Sequence, residues 1–462
     1  MSITRIPTEL VNEICSYLEL SDWCTLRNTC NSLYTKSWEE FVNRYFKSIC
    51  MSVTSDGLRR LEDLAADEDL RVRVQELWIK PELFKGRYQL SLEAFRRTGH
   101  AEACRTMGMD LEECYTQYQA ISADHLQILE TETLANTLTT CVARFENLKT
   151  FGLRSSSKAS RHGPKNDLFT IGQDHVLAFS AIMKAVVTNN RRLRTLHTCN
   201  GYHNSLTATG LSISQDTQKL LPPLLRELED LHLCELAQSP DENPTNILSE
   251  ILVEAAPSLK VLTYSQCCPN RNMSPSYLTE ISERLNFTQL TELHLCWVEI
   301  TLYSFETFLR TAAPTLKSLR LESVNLNENN KPPLISDDEA ITLGKRWLGI
   351  MKDPTNRALG HIFAMLLDQT SLDYLSMEAI DFRHYPITIM DSLSDVSGKP
   401  SSMDSSVTCY DSARARISFR EWISKLQAQP SRYLGHNLPG RSVVAAHILV
   451  RRSRPRARRL LR

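Results

Sequence analysis

The sequence predicts an α/β chain: a cluster of short N-terminal helices, then a β-α solenoid in which a curved parallel sheet is backed by outer helices. Three observations carry this. The phrase Leu-x-x-Leu-x-Leu recurs through the middle of the chain, helical apolar patterns separate its copies, and the first 46 residues carry apolar positions at the spacing of short helices.

Ile-Pro-Thr-Glu-Leu at 6–10 reads as a helix start, since Pro is tolerated in a first turn and an early acid suits the positive end of the dipole. Leu10, Ile14 and Leu18 follow at four-residue intervals and make one narrow apolar stripe. A second start at Ser21-Asp22 leads into Leu26, Cys30 and Leu33-Tyr34 at helical spacing, and Trp38, Phe41, Val42 and Tyr45-Phe46 suggest a third helix. A stretch this short keeps most of its surface in water and buries little core alone. Its apolar excess points to a partner.

That pattern resembles the F-box, whose consensus runs Leu-Pro-x-Glu-(Leu/Ile), a spaced Ile and Leu, Asp-Leu, and a closing Cys with an aromatic or Leu. Pro7, Glu9, Leu10, Ile14, Leu18, Asp22, Leu26, Cys30 and Leu33 fit it, while Ile6, Trp23 and Asn31 depart from it mildly. The resemblance implies that Ile6, Pro7, Leu10, Ile14, Leu18, Trp23, Leu26 and Leu33 face the Skp-type adaptor of a cullin–RING ubiquitin ligase.

Full copies of the leucine phrase stand at Leu228/Leu231/Leu233, Leu290/Leu293/Leu295 and Leu316/Leu319/Leu321. Variants stand at Val74/Leu77/Ile79, Leu148/Phe151/Leu153, Leu193/Leu196/Thr198, Leu259/Leu262/Tyr264 and Leu372/Leu375/Met377. The starts at 228, 259, 290 and 316 lie 31, 31 and 26 residues apart, periods that suit one strand and one helix per repeat. Ile247, Leu248, Ile251 and Leu252, then Tyr277, Leu278, Ile281 and Leu285, then Phe305, Phe308 and Leu309 supply the intervening helices. Pro257 and Pro314 end two of them ahead of the next strand. Val298/Ile300, Val324/Leu326 and Ile380/Phe382 continue three copies where a leucine-rich repeat places Asn or Cys and then Leu, so the region resembles that repeat. No such repeat buries its apolar face alone; stacked neighbours share one core.

The expected boundaries are 1–50 F-box, 51–145 linker with N-terminal capping or degenerate repeats, 146–383 leucine-rich-repeat solenoid, 384–412 disordered Ser/Asp-rich segment, 413–429 capping helix and 430–462 basic tail. Within them, Leu126 to Leu138 reads as helical, Arg154 to Asn166 as an exposed loop, and 336–350 and 354–369 as two helices of an insertion. The capping helix rests on Ile417, Phe419, Trp422, Ile423 and Leu426.

Hydrophobic content of 42% and charged content of 23% lie in the globular range, and a net charge of −1 makes no case for nucleic acid or an anionic membrane as partner. The first residues lack a basic start with a long apolar run, and the late apolar run from Val443 to Val450 is too short to span a bilayer. Thirteen cysteines show no pairing frame, so a reducing cytoplasmic or nuclear location is expected.

No motif carries a reaction: the chain has no Gly-rich phosphate loop, no nucleophile elbow and no His-Glu-x-x-His helix. No catalytic residue, cofactor or metal is expected. His197/Cys199, His232/Cys234 and His294/Cys296 each place His and Cys on the same, non-core face of a strand. The first two pairs could approach one zinc ion if their strands are neighbours, but Thr263 and Ser265 interrupt the series, and semi-exposed strand positions accept both residue types. The same alternation selects Trp78, His232, His294, Arg320 and Tyr374 as target-binding positions on the concave face, Trp, Tyr and Arg being enriched among binding hot spots.

Both resemblances together imply a non-catalytic substrate-recognition subunit of an SCF-type ubiquitin ligase, with an unknown protein as target. The alternatives are an interaction scaffold outside ubiquitin transfer, or RNA association through the Arg-rich tail at 441–462.

Overall fold

The computed structural model describes residues 5–81, 91–154, 168–198, 215–236, 247–267, 277–327, 366 and 372–378, and the short strands at 381–382, 385–386, 389–390, 407–411 and 427–428. The loop predicted after Arg154, the insertion helices (Leu366 apart), residues 413–426 and the basic tail lie outside the described residues. The chain divides into two compact units, Met1–Ala255 with Pro269–Arg271, and Ala256–Cys268 with Asn272–Arg462.

The first unit opens with α1 (Thr8–Ser16), α2 (Leu20–Thr29) and α3 (Asn31–Tyr45). The second predicted helix does not run on to Tyr34: Cys30 is extended (φ −164°, ψ 155°), ends α2 and starts α3. Only Phe46 and Lys47 separate α3 from β1 (Ser48–Ser52). The Lys47 carbonyl accepts from the N–H groups of Gln75 and Glu76 at 2.9 and 3.0 Å, tying this joint to the next strand. There follow α4 (Ser55–Ala66), α5 (Glu68–Arg71), β2 (Glu76–Lys80), α6 (Leu92–Arg96), α7 (Gly99–Thr106), α8 (Leu111–Glu130), α9 (Thr133–Arg144), β3 (Thr150–Leu153), α10 (Leu168–Thr188), β4 (Thr195–His197), α11 (Gln215–Leu225), β5 (Asp230–Leu236) and α12 (Ile247–Ala255).

Strands β1 to β5 lie side by side in chain order, all parallel. Helices in the connections are what parallel pairing demands, and α4 and α10 both pack on α9 there. The sheet therefore begins at Ser48, within the predicted F-box segment and far ahead of the predicted boundary at 146. Within residues 51–145, expected as linker with capping or degenerate repeats, lie β2, formed by the Val74/Leu77/Ile79 phrase, and the helices around it.

The second unit contains β6 (Val261–Cys267), α13 (Tyr277–Ile281) with a 3-10 turn at Ser282–Arg284, β7 (Glu292–Cys296), β8 (Glu299–Thr301), α14 (Leu302–Ala312), β9 (Ser318–Glu322), β10 (Asn325–Asn327), β11 (Tyr374–Glu378), β12 (Asp381–Phe382), β13 (Tyr385–Pro386), β14 (Ile389–Met390), β15 (Val407–Asp411) and β16 (Gln427–Ala428). Strands β6, β7, β9 and β11 are parallel neighbours, and β15 pairs antiparallel on β11. A second small sheet joins β8, β10 and β12 in parallel with β13 antiparallel, and β14 pairs with β16. Two predictions fail here. Part of the segment expected to be disordered, Val407–Asp411, is an edge strand: Val407, Thr408, Cys409 and Tyr410 are strand formers inside a polar surround. Gln427–Ala428, assigned to a capping helix, is likewise a strand.

The leucine phrase has a direct structural meaning. Its first apolar residue enters the core just before the strand, as at Leu193, Leu228, Leu259, Leu290 and Leu316, all buried. Its second forms an in-register ladder: Leu77, Phe151, Leu196 and Leu231 in the first unit, and Leu262, Leu293, Leu319 and Leu375 in the second. None of these eight is more than 1% exposed. Its third builds the next rung, Tyr264, Leu295, Leu321 and Met377. At several strand starts one carbonyl accepts from two successive N–H groups, Arg194 from Glu229 and Asp230, Thr291 from Lys317 and Ser318. After β7 and β9 the chain turns through left-handed residues at the same place, Trp297 (φ 58°) and Ser323 (φ 53°).

Leu293→Ala and Leu319→Ala should each lower stability by about 2–5 kcal/mol in denaturant unfolding, the range for truncating a fully buried leucine. Unchanged midpoints would mean the ladder register is wrong.

Candidate functional site: the outward sheet faces and the N-terminal helices

On the face opposite the leucine ladder, the register of the first unit aligns Trp78, Gly152, His197 and His232 in a single rung across β2, β3, β4 and β5. Gly152 makes this rung possible. A Cβ placed there would lie 2.3 Å from the Trp78 ring, so only glycine lets the indole lie across β3. The indole then meets the His197 ring edge-on (centroids 5.1 Å, 69°), and His197 stacks on His232 (3.8 Å, 13°). The Arg154 guanidinium sits 5.6 Å from the Trp78 ring, and the indole N–H donates to Glu76 at 3.2 Å.

Asp230 faces both imidazoles, 3.3 Å from His197 Nε2 and 3.4 Å from His232 Nε2. Burial alone would raise its pKa, but the hydrogen bonds with His197 and His232 outweigh burial and hold the carboxyl well below the usual carboxylate range. Burial pushes the His197 imidazole below its ordinary value, against the opposing pull of Asp230. Of the His/Cys residues weighed for zinc from the sequence, Cys199 lies outside the described residues; among the described residues Asp230 joins the two histidines.

In the second unit, His294 lies 3.5 Å from Glu322, and the Arg320 guanidinium sits 5.9 Å from the Tyr374 ring. All five predicted target-face residues, Trp78, His232, His294, Arg320 and Tyr374, are partly exposed on outward positions. Cys234 and Cys296 are not semi-exposed as predicted; they are 3% and 1% exposed. Alternation decides the face a side chain leaves by, and the chain beyond each strand end decides whether that face is covered.

At the N-terminus, Trp23 is the centre of the three-helix packing, edge-on to Phe41 and Tyr45 at 5.7 and 5.6 Å. The buried Arg27 guanidinium lies over Tyr34, Trp38 and Phe41 at 4.4, 4.9 and 3.8 Å. On α1, Val11 and Cys15 point inward while Leu10 (54% exposed), Ile14 (43%) and Tyr17 share an outer face, with exposed Pro7 ahead of them and Leu20 after. Exposed aliphatic residues in a row on one short helix are unusual without a partner. Residues 3–37 match the F-box domain. No curated protein matches the chain. F-box domains generally bind Skp-type adaptors within cullin–RING ligases, and proteins that carry them are generally non-catalytic adaptor subunits.

Of the eight residues predicted to face an adaptor, the F-box exposes Pro7, Leu10 and Ile14, while Ile6, Leu18 and Leu26 are half-buried. Trp23 (0% exposed) and Leu33 (2%) are corrected: they hold the helices together from inside and leave no surface for a partner. Tyr17, seven residues after Leu10, was missed, although that spacing returns to the same helix face. Among the described residues, no helix is long and apolar enough to cross a membrane.

Gly152→Ala should destabilise the chain by about 1–3 kcal/mol through overpacking against the indole, and the added cost should vanish in a Trp78→Ala background. A double-mutant cycle by urea unfolding measures this; additive effects would mean the indole does not lie over β3.

Proposed function

We propose that this chain is the substrate-recognition subunit of an SCF-type ubiquitin ligase. The carrying observation is the exposed Pro7, Leu10, Ile14 and Tyr17 face on a folded α1 inside the span that matches the F-box. In this reading that face docks on a Skp-type adaptor, which connects to the cullin. The strand-helix units act as a leucine-rich-repeat solenoid, supported by the in-register ladders of the phrase. The outward strand positions of the units hold a target protein, through Trp78 and His232 in the first and His294, Arg320 and Tyr374 in the second. The chain's task is proximity: it raises the local concentration of target lysines near a ubiquitin-charged enzyme and performs no bond-breaking step itself. A cytoplasmic or nuclear site of action accords with the free thiols of the nine cysteines whose side chains the structure describes.

Leu10→Asp with Ile14→Asp should abolish co-purification with a Skp-type adaptor while leaving the circular dichroism spectrum unchanged, because neither side chain is in the interior. Retained adaptor binding by the folded double variant would remove the F-box reading.

Target capture should be separable from adaptor binding. Changing Trp78, Arg320 and Tyr374 together to Ala should keep the adaptor complex and strip most target proteins from an affinity purification. An unchanged partner set would move the target site elsewhere on the chain.

A further inference from the structure

Two groups of metal-ligating side chains converge among the described residues: His197, Asp230 and His232 in the first unit, and His294, Cys296 and Glu322 in the second. The first is the better built. Parallel register sets His197 directly opposite His232, with the rings nearly parallel and 3.8 Å apart. Asp230, two residues before His232, leaves the same face and turns one carboxylate oxygen to each Nε2, at 3.3 and 3.4 Å.

Those separations are long for charge-assisted N–H···O bonds, which run to about 2.7–2.9 Å. One ligand atom from each residue can be chosen so that all three lie within 4.8 Å of one another; bonds of about 2.0–2.2 Å to a tetrahedral ion would draw such atoms to about 3.3–3.6 Å, with the two rings turning out of their stack to aim both Nε2 atoms at it. The surroundings hold the ligands in place. Trp78 packs edge-on against His197. The Thr198 N–H and hydroxyl both donate to the His232 carbonyl, at 2.8 and 3.2 Å, and its Oγ1 accepts from the Cys234 N–H at 2.9 Å. The Thr198 bonds fix the backbone that carries His232 against the end of β4, and the indole packs on the His197 ring. All three ligand residues remain partly exposed, so a fourth position is open to solvent.

We infer that His197, Asp230 and His232 bind one divalent transition-metal ion of the zinc class, its fourth position open on the outward face beside Trp78. Two imidazoles and one carboxylate form the three-ligand set of zinc sites that keep an open position, and they disfavour the hard ions Mg(II) and Ca(II), which seek oxygen shells. The ion would cross-link β4 to β5 and offer a Lewis-acidic point on the sheet face. This inference stands independently of the adaptor reading.

The test is titration of the full, metal-stripped chain with Co(II) and Zn(II). Co(II) should give the ligand-field absorption of a four-coordinate ion, be displaced by Zn(II), and resist a large excess of Mg(II). His197→Gln, His232→Gln and Asp230→Asn should each weaken binding at least about 10-fold. A second readout leaves the ligands untouched: Co(II) at this site should quench indole fluorescence, and Trp78→Phe should remove most of that quenching. No Co(II) uptake at micromolar concentration, uptake surviving all three substitutions, displacement by Mg(II), or quenching indifferent to Trp78 would each overturn the site.

Discussion

Register is the constraint on which the rest of this molecule depends. Each strand contributes only a few residues, so its packing is decided by which residue of the next strand lies opposite. Parallel pairing sets the second apolar residue of one leucine phrase beside the second of the next, giving Leu196 against Leu231 and Leu293 against Leu319. The same pairing, read from the other face, sets Trp78, Gly152, His197 and His232 in one row. A slip of one residue would turn Asp230 and His232 into the core and Leu231 out to water. Core and surface chemistry are therefore one choice seen from two sides.

Much of this was legible in the sequence because the leucine phrase encodes period, face and strand start together. Every copy from Leu77 to Leu375 coincides with a strand, and the helical patterns around Leu248 and Phe305 coincide with α12 and α14. What escaped were strands without the phrase. β1, Ser-Ile-Cys-Met-Ser, is an edge strand with few buried positions, and β15 stands among Ser and Asp residues whose composition speaks for disorder. Pairing with a neighbour decided both, and a pairing partner distant in sequence leaves no local trace.

The sites were legible to different depths. Spacing alone identified Leu10 and Ile14 as one stripe, but could not tell a stripe that faces a partner from residues that face the domain's own interior. Trp23 and Leu33 belong to the second kind, since the break at Cys30 folds α3 back onto α2 and closes over the indole. On the sheet, the pairs of His and Cys drew attention to the two strands now seen as neighbours, while Asp230, at the same parity, lies outside any His/Cys pair and gives no ligand signal of its own. The cysteines of those strands showed the limit of parity: it gives direction and is silent about cover.

The joint between α3 and β1 has a consequence for reach. Two residues, with the second clamped to β2 by a pair of hydrogen bonds, leave no polymer between the N-terminal helices and the first strand. Whatever is grasped at one end of this unit is held at a set bearing from the other, as on a bracket. In the proposed reading, the volume that a bound target can sweep is then small, and its contact with the ligase depends on the angle of the bracket instead of the length of a cord.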